Sequence, residues 1–404
     1  MISHDGDSLG TRPPDEELPA RRRLSRPWRI VIGCAAALVA AATAASFISL
    51  PYYAITPGVA QPVEPLITVP ARLLQRHRGS VDLVDVEITP IRAIDWIYFK
   101  LNSDATIEPR SAILGPETPA QYNTEGIVDM ADAQQAATVV ALDRLGYHVA
   151  ATPAGALLYA LQPGSPAEQA LSVGDVVTAL DSTPVRSAIG LGSALQAKKP
   201  GERVTFRFHS YSAAAVHSAA MTLGVWRVEG KGSSAQLLCR PFGSPSRYPV
   251  AELFSEHGQI GLPPKGQHGH PVACMGSLGT EDWYRVSGLP FAVDLNSEGI
   301  VGPSAGLAFT LGLMQKLDRY DLTGGLKVAA TGTMSINGQV GAIGGVEQKT
   351  IAVRASGAAV FFVPPANYKR AKAYAGPHLK VYAVSSIDQV LGILERYGGR
   401  VARP

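Results

Sequence analysis

Charge is scarce in this chain, and aromatic residues are scarcer. Charged residues make up 17% and aromatics 7% of 404 residues, with a net charge of only +3. That surplus, unclustered over most of the chain, excludes an electrostatic nucleic-acid surface. No G-x-x-x-x-G-K-[ST] phosphate loop occurs: Gly224 to Lys231 has the wrong spacing, and Gly232 follows the lysine. A nucleotide-driven motor built on that loop is therefore excluded. There are three cysteines, and no pair of them supports a metal site. His257, His268 and His270 fit no strong zinc pattern and read as part of a polar loop. No metal and no cofactor are expected. No internal repeat is present. What the chain does have is apolar residues, 46% of the total, so it can bury a core. Its length suits two or three domains.

The longest uncharged apolar run is Ile30 to Leu50, long enough to span a bilayer. Arg21, Arg22, Arg23, Arg26 and Arg29 precede it, which predicts a cytoplasmic N-terminus. Residues 1–29, rich in Pro, Asp, Glu and Arg, read as a disordered cytoplasmic tail. Everything after Pro51 would then be extracytoplasmic, on a single-pass protein of the cell membrane. A cleaved signal peptide competes, with Ala42-Thr43-Ala44 at a cleavage spacing. The run exceeds a usual h-region of about 7–15 residues, which favours an uncleaved anchor. Cys34 lies in this segment. Cys239 and Cys274 would face an oxidising space where a disulfide can form, and the sequence leaves that pairing open.

Residues 51–145 carry many prolines and short β-rich runs such as Val81 to Thr89, with no assignable fold. Asp129 to Leu145 has helical apolar spacing, with Gly146 as its stop. Residues 146–228 give a strand Ala156 to Leu161, a strand Val176 to Leu180, a helix Ser187 to Lys198 and a strand Arg203 to His209. Between them stand Pro163-Gly164-Ser165-Pro166-Ala167-Glu168, Val173-Gly174-Asp175-Val176-Val177 and the Pro200-Gly201 turn. This ordered set of turns resembles a PDZ domain of the bacterial type. The resemblance implies peptide binding by strand addition. It places the groove between the strand starting near Gly155 and the helix Ser187 to Lys198, with Gly155, Ala156, Leu157, Ile189 and Leu195 as lining residues. A small packing module without a ligand is the alternative. Trp226 and Trp283 read as packing residues.

Residues 235–404 have an α/β pattern. A strand-like segment Phe291 to Leu295 leads to a helix Ser304 to Lys316 and a strand Lys327 to Thr331. A hairpin follows at Asn337-Gly338. The helix Val346 to Ala355, strand Ala359 to Val363, helix Ala366 to Tyr374, strand Lys380 to Val384 and helix Ile387 to Tyr397 complete the region. Two residues at helix starts stand out. Ser304 lies in Gly302-Pro303-Ser304-Ala305-Gly306, where the glycines permit close backbone approach and Pro303 forces a turn. The free N–H groups of the following helix can stabilise an oxyanion. Taken alone, Ser304 reads first as an N-cap. Lys349 follows Gly344-Gly345 and, as a base, must be neutral. At an ordinary pKa about one amine in 2,500 is neutral at pH 7, and reaching about 7 takes over 4 kcal/mol. Desolvation and a helix N-terminus both push in that direction. The bland reading of Lys349 is a solvated surface lysine. The pentapeptide also fits the G-x-S-x-G elbow of α/β-hydrolase esterases. That reading needs a downstream acid and histidine, and after Ser304 only His378 is available.

Further motifs surround the pair: Ala330-Thr331-Gly332, Gly338-Gln339-Val340, Ile343-Gly344-Gly345-Val346, Ala352-Val353-Arg354-Ala355-Ser356-Gly357 and Val363-Pro364. Residues 290–365 thereby resemble the proteolytic domain of Lon proteases. The resemblance implies a Ser-Lys dyad of Ser304 and Lys349, supported by Thr331, Gly302 and Ala305, with Thr331 orienting the lysine amine. Glu298-Gly299-Ile300-Val301 lacks the acidic residue that some Lon proteins carry next to Gly302. The layout of anchor, PDZ-like module and Lon-like domain is similar to membrane-anchored, PDZ-containing Lon-like serine peptidases of bacteria. The expected fold is an α/β (α+β) Lon-type domain plus a β-rich PDZ-like domain after one transmembrane helix. The expected function is ATP-independent endopeptidase activity on protein or peptide substrates. The resemblance also implies a homo-oligomer, with a hexamer as one form. A non-catalytic PDZ adaptor carrying an inert Lon-like fold is the alternative.

Overall fold

The computed structural model describes residues 26–115, 117–229, 236–243 and 273–402. His257, His268 and His270, read above as a polar loop, lie outside them, as does the segment 1–25. The apolar run folds as one helix, Arg26–Phe47, of 22 residues, none of them buried against the rest of the chain. At 1.5 Å per residue it is about 33 Å long, about the thickness of a bilayer's hydrocarbon core. It ends earlier than the expected Leu50, because the chain is extended from Ser49 onward and Pro51 cannot continue a helix.

That extended segment, Ser49–Pro62, is a central strand of a six-stranded sheet. Its order is Lys380–Ala383, Val360–Val363, Lys327–Ala330, Ser80–Arg92, Ser49–Pro62 and Thr106–Pro109. The first four strands run parallel, and the last two pair antiparallel. Residues 51–145 therefore supply about half of this sheet. The prolines of Ser49–Pro62 are accommodated because Thr106–Pro109 covers only Tyr52 to Ile55; beyond that point one edge has no strand partner among the described residues. Val360–Val363 is buried on both faces, as parallel strands between helices require. One face packs against Gly306–Leu317, Pro119–Arg144 and Ile387–Arg396, through Phe309, Leu313, Val140 and Val390. The other packs against Val346–Ser356 and Pro365–Tyr374, through Val353 and Ala371.

The helix expected over Asp129 to Leu145 begins ten residues earlier, at Pro119. Its start is fixed by a capping box, in which Gln121 N donates to Thr118 Oγ1 (3.2 Å) while Gln121 Oε1 accepts from Thr118 N (2.9 Å). The hairpin at Asn337-Gly338 is present as Thr333–Met334 paired with Val340–Gly341.

A second sheet runs Ser277–Ser287, Ala150–Leu161, Asp175–Leu180, Arg203–Ser210 and His217–Thr222, with the helix Ala188–Gln196 packed on it through Leu191. The domain boundary expected at 235 is corrected here. Ser277–Ser287 pairs with Ala150–Leu161 along nearly its whole length, so it belongs to this sheet and not to the six-stranded one. The chain leaves the layers of the six-stranded sheet after Pro119–Arg144 and returns at Asp294–Leu295, which pairs with Ile67–Thr68. A small sheet of Gly224–Glu229, Gln236–Arg240 and Ala273–Cys274 closes the PDZ-like region. There Cys239 and Cys274 are joined in a disulfide, with Cα atoms 5.9 Å apart.

Candidate active site

Ser304 sits in a single 3₁₀ turn, Pro303–Ala305, between an extended loop and the helix Gly306–Leu317. Gly302 has φ 90° and ψ 156°, a conformation that L side chains rarely adopt. Gly306 is required by packing: a Cβ there would lie 2.9 Å from both Cβ and N of Met334. The turn is tied down on three sides. Gly302 N donates to Gly126 O at 2.7 Å, Gly332 N donates to Ser304 O at 2.9 Å, and Thr331 Oγ1 donates to the same carbonyl at 3.2 Å. The strand Lys327–Ala330 thus ends directly against the serine backbone.

Lys349 lies in the first turn of Val346–Ser356, and its N–H bonds to the carbonyl of the left-handed Gly345 at 3.0 Å. The side chain is buried, 3% exposed. Its Nζ lies 2.6 Å from Ser304 Oγ and 3.3 Å from Thr331 Oγ1. Burial lowers the Lys349 pKa to about 8, while the negative charge of Asp85 works in the opposite direction. The residues that the sequence set apart on separate elements are therefore brought together: Ser304, Lys349 and Thr331 share one hydrogen-bonded cluster. The side chain bonded to Ser304 Oγ among the described residues is a lysine, where the esterase reading needs a histidine. Gly302 lines the adjoining cleft, and Ala305 is buried in the same turn.

The cleft over Ser304 has a volume of about 960 Å³. Its walls carry Asp85, Glu125, Asp129 and Glu298, none of which was a candidate site residue in the sequence. Glu125, Asp129 and Asp132 follow one another at helical spacing on Pro119–Arg144, so they share a face. Burial raises the pKa of Glu125 to about 8, helped by a hydrogen bond with Glu117. Burial also raises Asp129 and Asp132 to about 7, with the charge of Glu281 adding to it. Glu281 belongs to Ser277–Ser287, so these carboxylates meet where the two sheets' layers adjoin. The signal that could have found them is the pattern Glu125, Asp129, Asp132 once the helix is known to start at Pro119.

The expected peptide groove is corrected. Gly155, Ala156 and Leu157 lie on the second strand of their sheet, not on its edge. Ala156 stands opposite Asp282 on one side and Val177 on the other, Leu157 opposite Glu281 and Val176, and Gly155 opposite Trp283. The edge strand is Ser277–Ser287, which among the described residues pairs only with Ala150–Leu161. Between its other edge and the helix Ala188–Gln196 lies a cleft of about 220 Å³, lined by Leu191, Leu195, Trp226, Met275 and Thr280 among others. Leu195 is placed as expected, whereas Ile189 is 82% exposed and outside the lining. Trp226, read as a packing residue, lines the cleft; Trp283 packs against Val128, Leu157 and Val176. Asp282 Oδ1 accepts from Ala188 N at 2.8 Å, which fixes the helix start against the edge strand.

Comparison with known proteins agrees with this architecture. Residues 298–395 match the Lon protease (S16) C-terminal proteolytic domain, and residues 141–209 match the PDZ domain. The Lon protease of Treponema pallidum (strain Nichols) is 28% identical over 127 residues, which cover 31% of this chain and 14% of that protein. The Lon protease of Mesomycoplasma hyopneumoniae (strain 232) is 35% identical over 68 residues, covering 17% and 8%. The chain thus spans a small part of the length of the curated relatives it matches. Among solved structures, the PDZ domain of an SdrC-like protein from Listeria monocytogenes aligns at 21% identity and a TM-score of 0.17, covering 21% of this chain and 87% of that one. Residues 298–395 of this chain thus correspond to a Lon-type proteolytic domain, and the segment matching a PDZ domain is set into its layers between the helix Pro119–Arg144 and the serine turn.

Proposed function

We propose that this protein is a membrane-anchored serine endopeptidase that works without ATP, with Ser304 as nucleophile and Lys349 as general base. The observation that carries this reading is the 2.6 Å contact between Lys349 Nζ and Ser304 Oγ, at a site where burial brings the amine to about 8. In its neutral form the amine takes the Ser304 proton as Oγ attacks the scissile carbonyl carbon. It then passes that proton to the departing amine, leaving an acyl group on Ser304. Water attacks the acyl carbon, Lys349 takes a proton from it, and Ser304 regains its hydroxyl hydrogen as the new carboxyl end leaves. Thr331 Oγ1, at 3.3 Å, keeps the amine aimed at the serine. N–H groups at the start of Gly306–Leu317 supply positive potential for the oxyanion.

ATP independence is supported by the absence of a phosphate loop from the 404 residues. Anchoring is supported by the apolar helix Arg26–Phe47, and the arginines before it favour a cytoplasmic N-terminus with the catalytic sheet outside. The PDZ domain supports recognition of an extended peptide, which would add a strand to the edge of Ser277–Ser287 that has no partner among the described residues. Unfolded protein segments are the substrate class that can enter both the cleft at Ser304 and that groove.

The test is cleavage of an unfolded protein by the detergent-solubilised full chain in ATP-free buffer, beside Ser304→Ala and Lys349→Ala. Cleavage by the parent alone is the expected result. Equal cleavage by all three would exclude the dyad, and cleavage only on adding ATP would exclude the energy-independent reading.

A further inference from the structure

The anchor helix leads directly into the catalytic sheet. Ile48 O accepts from Ala93 N at 2.9 Å, and Ser49 stands opposite Arg92. Immediately beyond Arg92 the chain forms a short helix, Trp96–Leu101, with no buried residue. Such an apolar helix on a soluble protein turns its large side chains inward. Here Ile97, Tyr98 and Leu101 are 69%, 65% and 80% exposed, and Phe47 at the end of the anchor is 82% exposed. The exposed last turn of the anchor and this exposed helix are thus tied to each other through the Ile48–Ala93 and Ser49–Arg92 pairing. Contiguous exposed apolar patches of this kind mark an interaction surface.

The composition identifies the partner. Tyr52 and Trp96 meet edge to face with ring centres 5.2 Å apart, and the Lys100 amine lies 5.5 Å from the Trp96 ring. Amphipathic rings beside a lysine are the chemistry of the lipid headgroup zone, where one end of each side chain is wet and the other apolar. The patch also lies at the level where the anchor must leave the hydrocarbon core. We propose that Trp96–Leu101 is a second membrane contact, lying in the headgroup layer beside the anchor. Ser49, Leu50 and Tyr53, just past the anchor, line the cleft that holds Ser304. The contact therefore holds that cleft at the bilayer surface, and the substrates it serves are chain segments tethered to or emerging from the membrane. This inference rests on the anchored reading given above.

The test uses the full chain with Cys34→Ser and one added cysteine, Val39→Cys, Ile97→Cys or Ser218→Cys, each carrying an environment-sensitive nitrobenzoxadiazole label. Reconstitution is into vesicles of phosphatidylcholine and phosphatidylglycerol containing spin-labelled lipid. The expected result is blue-shifted emission at Ile97 and lipid quenching at least roughly threefold above that at Ser218, as for an interfacial apolar site. Quenching at Val39 with none at Ile97 overturns the contact and leaves the anchor standing. Absence of quenching at both overturns the anchor together with the contact. A blue shift at Ile97 without lipid quenching means that protein covers the patch, and also overturns the proposal. As a second arm, Ile97→Asp with Leu101→Asp should slow cleavage of a lipid-tethered unfolded peptide by roughly tenfold and leave the same peptide, free in solution, unaffected. Equal slowing of both forms overturns the assignment of membrane-proximal substrates.

Discussion

Replacement of Lys349 by methionine should abolish cleavage and, at the same time, stabilise the fold at neutral pH. Lys349 is 3% exposed, and burial lowers its pKa from 10.5 to about 8. Below about 8 the amine is charged in both folded and unfolded chains, so the folded state bears the full cost of burying that charge. At 1.36 kcal/mol per pH unit, the cost is about 3 kcal/mol. Between about 8 and 10.5 the unfolded chain holds a proton that the folded chain has released, so stability rises with pH and the cost disappears at the upper end. Methionine is unbranched and uncharged and fills similar space. Loss of the hydrogen bond to Ser304 offsets about 1 kcal/mol. The net gain expected near pH 7 is therefore about 2 kcal/mol, and near pH 10.5 it reverses to a loss of about 1 kcal/mol. Urea unfolding followed by circular dichroism at the two pH values reads this difference directly. A methionine variant less stable than the parent near pH 7 would refute a destabilised buried ammonium. The kinetic counterpart is a kcat/KM that climbs about tenfold per pH unit and levels off near 8.

Four further outcomes follow from the same geometry. Asp85→Asn removes the charge that holds the Lys349 proton, so the pH midpoint of kcat/KM should move below 8; a midpoint that stays or rises contradicts the assignment. Gly306→Ala would force a methyl group against Met334 N, and we expect at least about tenfold slower cleavage and about 1–3 kcal/mol lower stability. Asp129 and Asp132 are raised to about 7, so the folded chain keeps protons that the unfolded chain has lost, and stability falls as pH rises from about 4 to about 7. Replacing both by Asn should raise the melting temperature at pH 8 and change it little at pH 4, which calorimetry at both values checks. Leu191→Arg places a charge in the PDZ cleft and should weaken binding of an extended peptide about tenfold or more, read by fluorescence anisotropy, with Ile189→Arg as the silent control.

Much of the site was legible because its signals are local. Gly302 and Gly306 bracket the serine, Gly345 precedes the lysine helix, and apolar runs such as Leu307 to Met314 fit a fully buried helix. The hairpin at Asn337-Gly338 announced itself by turn chemistry alone. What escaped was set by non-local pairing. Ser49–Pro62 looks irregular because of its prolines, yet they fall where one side of the strand has no partner among the described residues. Asp85 could not be linked to Lys349 without knowing that its strand belongs to the catalytic sheet. The groove was misplaced for the same reason: its edge strand, Ser277–Ser287, lies far along the chain from the strand it pairs with. The early start at Pro119 is readable in principle from Thr118 and Gln121, whose capping box fixes it, although the regular apolar spacing begins only further along the helix.

The central claim is that peptide-bond cleavage passes through an acyl group on Ser304. An activated peptide ester, mixed with the full chain and quenched in acid during the first turnover, would trap that species for tandem mass spectrometry. The account predicts the acyl mass on the fragment containing Ser304 in the parent and none in Ser304→Ala. Turnover with the acyl group on another residue, or undiminished turnover by Ser304→Ala, would contradict it.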